Sequence, residues 1–261
     1  MKGGKNVIKI KSIVYSMIFI SILCINTNPI EAITLNQEQQ FTTSLYIDEL
    51  LSIKEDQLQL KSEIDKLEMA ENEEVVTVSF IEGAYIYNEN TYLDDLRKEL
   101  QELEISEVQM IKYIEQETSK YLKINKQDFL QSMWPVDTEY SYISSDYGNR
   151  IHPISGKYSF HDGIDIPAPK GEDILSCDNG IVIFSGSQSG YGNVVKIKHF
   201  DQKVSVYAHN SENLVKEGDI IKKGEVIAKV GSTGVSTGNH IHFEIQLNDE
   251  TIDPMKVVSI D

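Results

Sequence analysis

Thirteen of the sixteen glycines fall between Gly148 and Gly238, whereas Thr42 to Glu71 holds neither glycine nor proline. A chain divided in this way cannot be one kind of structure throughout. Glycine serves tight turns and close strand packing, while a long stretch free of both breakers favours continuous helix. We therefore read the 261 residues as α+β: an N-terminal coiled-coil-like helical region followed by a mainly antiparallel β-sheet domain.

Within Thr42 to Glu71, Ile53, Leu60 and Leu67 recur every seven residues, with Leu50 and Ile64 between them, the periodicity of a coiled-coil helix. Leu93 to about Tyr121 repeats it with Leu93, Leu96, Leu100, Leu103, Met110 and Ile114, and Asn90 or Thr91 is placed to cap it. Val75 to Tyr87, rich in β-branched and aromatic residues around Gly83, reads as a small hairpin or wide connection. Each helical seam is short enough to be marginal alone and adequate when paired. An antiparallel hairpin packing on itself is favoured over a dimerising coil, and such an arm could engage an envelope protein partner.

Hydrophobic residues make up 40% and charged residues 25%, which disfavours disorder and a multi-span membrane protein. The net charge of -17 has the wrong sign for holding a phosphate backbone, so nucleic acid is excluded as a partner. The charge is unevenly spread: +3 over residues 1–32, -13 over 33–136 and -7 over 137–261. Lys2, Lys5, Lys9 and Lys11 precede an apolar run from Ile13 to Ile25, the layout of a secretory leader. That run is shorter than the roughly 20 residues a membrane span needs. Cleavage after Ala32 is expected, with an uncleaved N-terminal anchor as the alternative and the only membrane contact. The protein is then exported, extracellular or in the cell wall. Removing the leader takes Cys24 with it and leaves Cys177 alone, a small buried hydrophobe rather than a disulfide partner. The expected divisions are a leader over 1–32, an acidic helical region over 33–128, a linker over 129–143 and a sheet domain over 144–261.

Candidate strands in that domain are Gly180 to Phe184, Asn193 to His199, Lys203 to His209, Glu225 to Val230 and His240 to Leu247. All six histidines lie in this half, at 152, 161, 199, 209, 240 and 242. In the last strand, alternation puts Ile241, Phe243, Ile245 and Leu247 on an apolar face and His240, His242, Glu244 and Gln246 on the other. Two imidazoles thus project side by side from a rigid scaffold. His161 and Asp165 sit four apart around Gly163, in a bent, extended segment. Histidine nitrogen and carboxylate oxygen are ligands that Zn²⁺ accepts, and one more histidine from the last strand would complete a three-ligand site with an open position. Spacing alone leaves the choice between His240 and His242 open. His152 reads as a turn residue and His199 as a surface residue, and Gly231 to Gly238 as a groove wall, since it lacks the ending of a phosphate-binding loop.

Four linked motifs carry a resemblance: Ser145 to Pro153, His161 to Asp165, Tyr207-Ala208-His209, and Gly231 to Glu244. In order and spacing they resemble the lysostaphin-type, LytM-like zinc endopeptidases of bacterial cell walls, over about residues 134 to 256. The resemblance implies one Zn²⁺ per chain held by His161, Asp165 and His242, with His209 and His240 as catalytic neighbours that do not ligate it. It implies a peptidoglycan peptide as substrate and a peptide-bond hydrolase as function. The competing expectation is a catalytically inactive envelope scaffold, or an activator of another wall hydrolase, that works through the helical arm and groove.

Overall fold

The computed structural model describes residues 31–73, 89–124, 132–151 and 156–260. The expected leader up to residue 30, the Val75 to Tyr87 connection and His152 lie outside them. The chain divides into two units, Met1–Leu45 and Tyr46–Asp261. Of the first, the described part is the opening of helix α1 (Glu31–Glu73). That helix begins earlier than its heptads foretell, and α2 (Glu89–Ile124) spans the second seam.

From Tyr46 onward, the two apolar stripes meet within the chain. Ile64, Leu93 and Leu96 form a buried cluster flanked by Leu60, Leu67 and Leu100, and Tyr46 meets Tyr113 edge-on at 5.3 Å. Residues early in α1 thus face residues late in α2, an antiparallel pairing. Crossing ion pairs run alongside: Lys54–Glu107 at 2.6 Å, Lys61–Glu104 at 3.2 Å and Arg97–Glu68 at 2.7 Å. Partly exposed pairs of this kind are worth about 0–1 kcal/mol each, so the apolar seam supplies most of the pairing.

The sheet domain is built on a seven-stranded sheet: β6 (Gly180–Gln188), β7 (Gly192–His199), β8 (Lys203–Asn210) and β12 (His240–Leu247), in that order. β10 (Ile220–Ile221) lies outside β6. On its far edge, β12 pairs with β4 (Ile164–Pro167) through its first half and with β13 (Glu250–Ile252) through its second. A three-stranded sheet of β5 (Asp173–Leu175), β11 (Val226–Lys229) and β9 (Glu212–Asn213) covers one side. β2 (Gly148–Ile151) and β3 (Tyr158–His161) form a hairpin. β1 (Ser132–Met133) pairs in parallel with β14 (Val258–Ser259), the exception to an otherwise antiparallel arrangement.

The core gathers the inward positions of these strands, among them Val195, Ile197, Tyr207, Ile241, Phe243 and Ile245, each 0% exposed. Leu247, expected beside them, is only partly buried at the strand end. Cys177 is fully buried in the same core. Two expectations meet a different structure. From Ser132 onward, the stretch read as a linker packs into the domain: β1 adds to β14, and Trp134 and Val136 are 1% and 2% exposed. The Trp134 indole N–H donates to the Tyr140 carbonyl at 3.1 Å. His199 is not a surface residue but 1% exposed, because positions 195, 197 and 199 of β7 share the inward face. One ring nitrogen is 3.1 Å from the Asn179 carbonyl and the other 2.7 Å from the Ser205 hydroxyl.

Candidate metal centre

Strand register assembles the centre. His242 on β12 lies directly opposite Asp165 on β4 and Ala208 on β8, and residues paired across antiparallel strands share a face. Asp165 and His242 are therefore neighbours by register, although 77 positions separate them. β4 can approach β12 this closely because residue 163 is glycine: a Cβ there would lie 2.3 Å from the Phe243 carbonyl oxygen. His161, the last residue of β3, enters from just before that bend.

Three donor atoms converge. His161 Nε2 lies 3.0 Å from His242 Nδ1 and 3.2 Å from Asp165 Oδ1, and His242 Nδ1 lies 3.0 Å from Asp165 Oδ1. All three residues are buried. Ligands held at about 2.1 Å in a tetrahedron stand ~3.4 Å apart, so the separations fit one four-coordinate metal ion with a position left open. Among the described residues, these three form the candidate metal-holding group. They are the residues that the resemblance picks out, and His240 Nε2 stands farther from Asp165 Oδ1, at 3.6 Å.

Burial alone would raise the Asp165 carboxyl, but hydrogen bonds from His161 and His242 hold it far below the usual carboxylate range. Burial would lower His242, yet hydrogen bonds to Asp165 and Glu244 push it up to about 9. Arg150 Nη1 approaches Asp165 Oδ2 at 3.4 Å and also donates to the Ser145 hydroxyl.

His209 and His240 flank the cluster, their rings 4.8 Å apart by centroid, with His209 5.8 Å from His242. In a regular strand, His209 would point away from the face shared by Ala208 and His242. Its backbone sits at φ +64°, the left-handed region that non-glycine residues rarely occupy, and this turns the side chain into the cleft. A carbonyl can only accept, so the 2.8 Å contact of His209 Nδ1 with Thr233 O and the 2.9 Å contact of His240 Nδ1 with Gly238 O place the proton on Nδ1 in both rings. Burial holds His209 down at about 4, so it is a neutral imidazole at neutral pH.

The cleft has a volume of about 290 Å³ and is walled by Tyr191, Val235, Ser236 and Thr237 opposite Arg150 and Phe160. The Gly231 to Gly238 loop thus lines the groove as its composition foretold. It meets the 190–192 loop closely, with Gly192 and Gly234 both at positive φ and a Cβ on Gly192 falling 2.4 Å from Thr233. Sequence reasoning placed Arg150 and Glu244 only within the motifs that carry the resemblance, and Tyr191 only at the end of a loop, Ser185 to Tyr191, that bears on which bond is cut. Glu244 was legible only as a polar-face neighbour of His242. Its near-complete burial at 1% exposure is the signal that the alternation pattern could not carry.

An antiparallel sheet with a His-Asp-His cluster where β4 pairs with β12 defines a chain with a candidate metal centre open to a cleft. Residues 159–254 match Peptidase family M23, and this segment of the chain is a domain of that family. It is 42% identical over 118 residues to the DD-carboxypeptidase/endopeptidase Mpg of Neisseria meningitidis serogroup B, across 45% of this chain and 27% of that protein. Against the murein hydrolase activator NlpD of Salmonella typhimurium the identity is 36% over 126 residues, across 47% and 30%. The catalytic domain of the antimicrobial peptidase lysostaphin from Staphylococcus simulans shares 31% identity, across 44% of this chain and 89% of that one, with a TM-score of 0.41. The chain thus spans less than a third of the length of these two curated relatives. No helix among the described residues is long and apolar enough to cross a membrane.

Proposed function

We propose that the protein is a zinc-dependent endopeptidase that hydrolyses peptide bonds in bacterial peptidoglycan. The observation that carries this is the convergence of His161, Asp165 and His242 within 3.2 Å, with two further imidazoles beside them. Two neutral imidazoles and a carboxylate form a donor set of the borderline kind that suits Zn²⁺. Bound there, zinc supplies Lewis acidity, polarising a carbonyl oxygen and lowering the pKa of water to about 7.

The rest belongs to the chain's own residues. Thr233 O and Gly238 O pin the Nδ1 protons of His209 and His240, which leaves each Nε2 free to take a proton from water and return it to the leaving amine. His209, held neutral by burial, is ready to accept. The cleft walls orient an extended peptide, and Asp165 is kept ionised by its hydrogen bonds. In this reading residues 1–32 direct export and residues 33–128 form an arm for an envelope partner. The peptidase domain follows, with the stretch from Ser132 packed into it, and the mature protein acts outside the cell or in its wall.

Mass spectrometry of muropeptides from several wall chemotypes, digested with the zinc-loaded protein, tests the reading. New peptide termini are expected in at least one chemotype. Intact muropeptides throughout would favour a second reading, an envelope scaffold or activator of another wall hydrolase, which has support in the name of the NlpD relative.

A further inference from the structure

We infer that Glu244 is a positioning residue: it fixes which nitrogen of His242 meets the metal, and so sets how tightly the centre holds its ion. The inference rests on the zinc site proposed above. Three of the four histidines at the cleft direct Nδ1–H at a backbone carbonyl: His161 at Asp146 (2.8 Å), His209 at Thr233 (2.8 Å) and His240 at Gly238 (2.9 Å). Each therefore presents Nε2. His242 is reversed. Its Nδ1 lies in the donor cluster, and its Nε2 lies 3.0 Å from Glu244 Oε1.

A carboxylate in that place does what a carbonyl cannot. It brings a full negative charge to the far side of the ring, which raises the basicity of Nδ1 and favours its bond to a cation. Glu244 is itself held fast. Its Oε1 also accepts from the Tyr191 hydroxyl at 2.7 Å, and its Oε2 accepts from Gln246 Nε2 at 2.9 Å. Three donors on a side chain 1% exposed satisfy the ionised carboxylate and hold it in place. Tyr191 belongs to the cleft wall, so the wall and the metal ligand share one acceptor.

The test is a competition between the full chain and chelators of graded affinity for zinc, followed by a zinc-sensitive dye, for the wild type, Glu244→Gln and Tyr191→Phe. Glu244→Gln keeps the volume and an acceptor but loses the charge, and is expected to bind zinc about 10- to 100-fold more weakly. Its metal-free thermal unfolding should stay within a few degrees of the wild type. Tyr191→Phe removes one donor and leaves the charge, so a smaller weakening is expected, and it remains informative if Glu244→Gln does not fold. Nitrogen NMR of the metal-free protein at high pH should show the single His242 proton shared between Nε2, facing Glu244, and Nδ1, facing Asp165, in the wild type, and shifted towards Nδ1 in Glu244→Gln. Zinc affinity within twofold of the wild type in every variant that folds would overturn the inference. A wild type that takes up no zinc sinks both this inference and the proposed function. A zinc-binding wild type that leaves every muropeptide intact sinks only the latter, since affinity is read without turnover.

Discussion

At the scale of the single residue, the four cleft histidines divide by what their loss should do. His161→Ala or Asp165→Ala should abolish stoichiometric zinc after dialysis, because each supplies one of three donor atoms. His209→Ala should keep the metal and lower turnover by about 10²- to 10⁴-fold, the usual contribution of a positioned proton carrier. Metal analysis beside a peptide-cleavage assay separates the outcomes, and a His209→Ala protein that loses its zinc would contradict the division. Protonation gives a second handle. In the metal-free protein His242 titrates at about 9, above its unfolded value of about 6.5. Its contribution to stability is therefore full below about 6.5 and lost as pH rises through 9. His209 runs the other way: depressed to about 4, it makes stability rise with pH between about 4 and 6.5. Denaturant titrations of the metal-free protein should find greatest stability near pH 6.5, and a steady rise from pH 6 to 9 would contradict these assignments. Zinc binding at pH 7 to 8 should release about one proton from His242, measurable by calorimetry in buffers of different ionisation enthalpy.

At the scale of the element, the pairing of β4 with β12 matters most, and Gly163 is its weak point. Gly163→Ala would force a methyl against the Phe243 carbonyl oxygen. A loss of about 1–3 kcal/mol is expected, together with reduced zinc content, because the same pairing sets Asp165 opposite His242. Thermal unfolding and metal analysis of one preparation check both, and full zinc retention with an unchanged melting point would show that the strands tolerate the displacement. β12 itself was legible because its period-2 pattern survives even though its polar face is buried. The short strands β2, β4 and β5 carry too few residues for a period to be read. His199 was misread because the following turn weighed more than strand parity. The inward turn of His209 had no sequence signal, since a positive φ outside glycine depends on the contacts around it. Trp134 and Val136 looked like the end of a linker because their core partners lie far along the chain. The heptads of α1 and α2 were legible because their partners recur at a fixed spacing.

At the scale of the whole molecule, two ion pairs among the described residues join the helical pair to the sheet domain: Lys198–Glu115 at 3.1 Å and Lys222–Asp48 at 2.6 Å. All four side chains are partly exposed, so each pair contributes about 0–1 kcal/mol. Deleting residues 33–128 should therefore leave a folded domain whose cleavage of soluble peptides is little changed. Light scattering should find both the deletion and the full chain monomeric, because the apolar stripes of α1 and α2 are already occupied by each other. A full-length dimer that becomes monomeric on deletion would show that they pair between chains instead.

The left-handed backbone at His209 carries a consequence for anyone who sets out to improve this protein. Glycine would relieve a conformational cost of roughly 1 kcal/mol at that position. A search for thermostable variants that screens folding alone would then favour His209→Gly and discard the proposed proton carrier in the same step. Stability and turnover pull in opposite directions at this one residue, so a selection on this scaffold has to score cleavage alongside melting temperature.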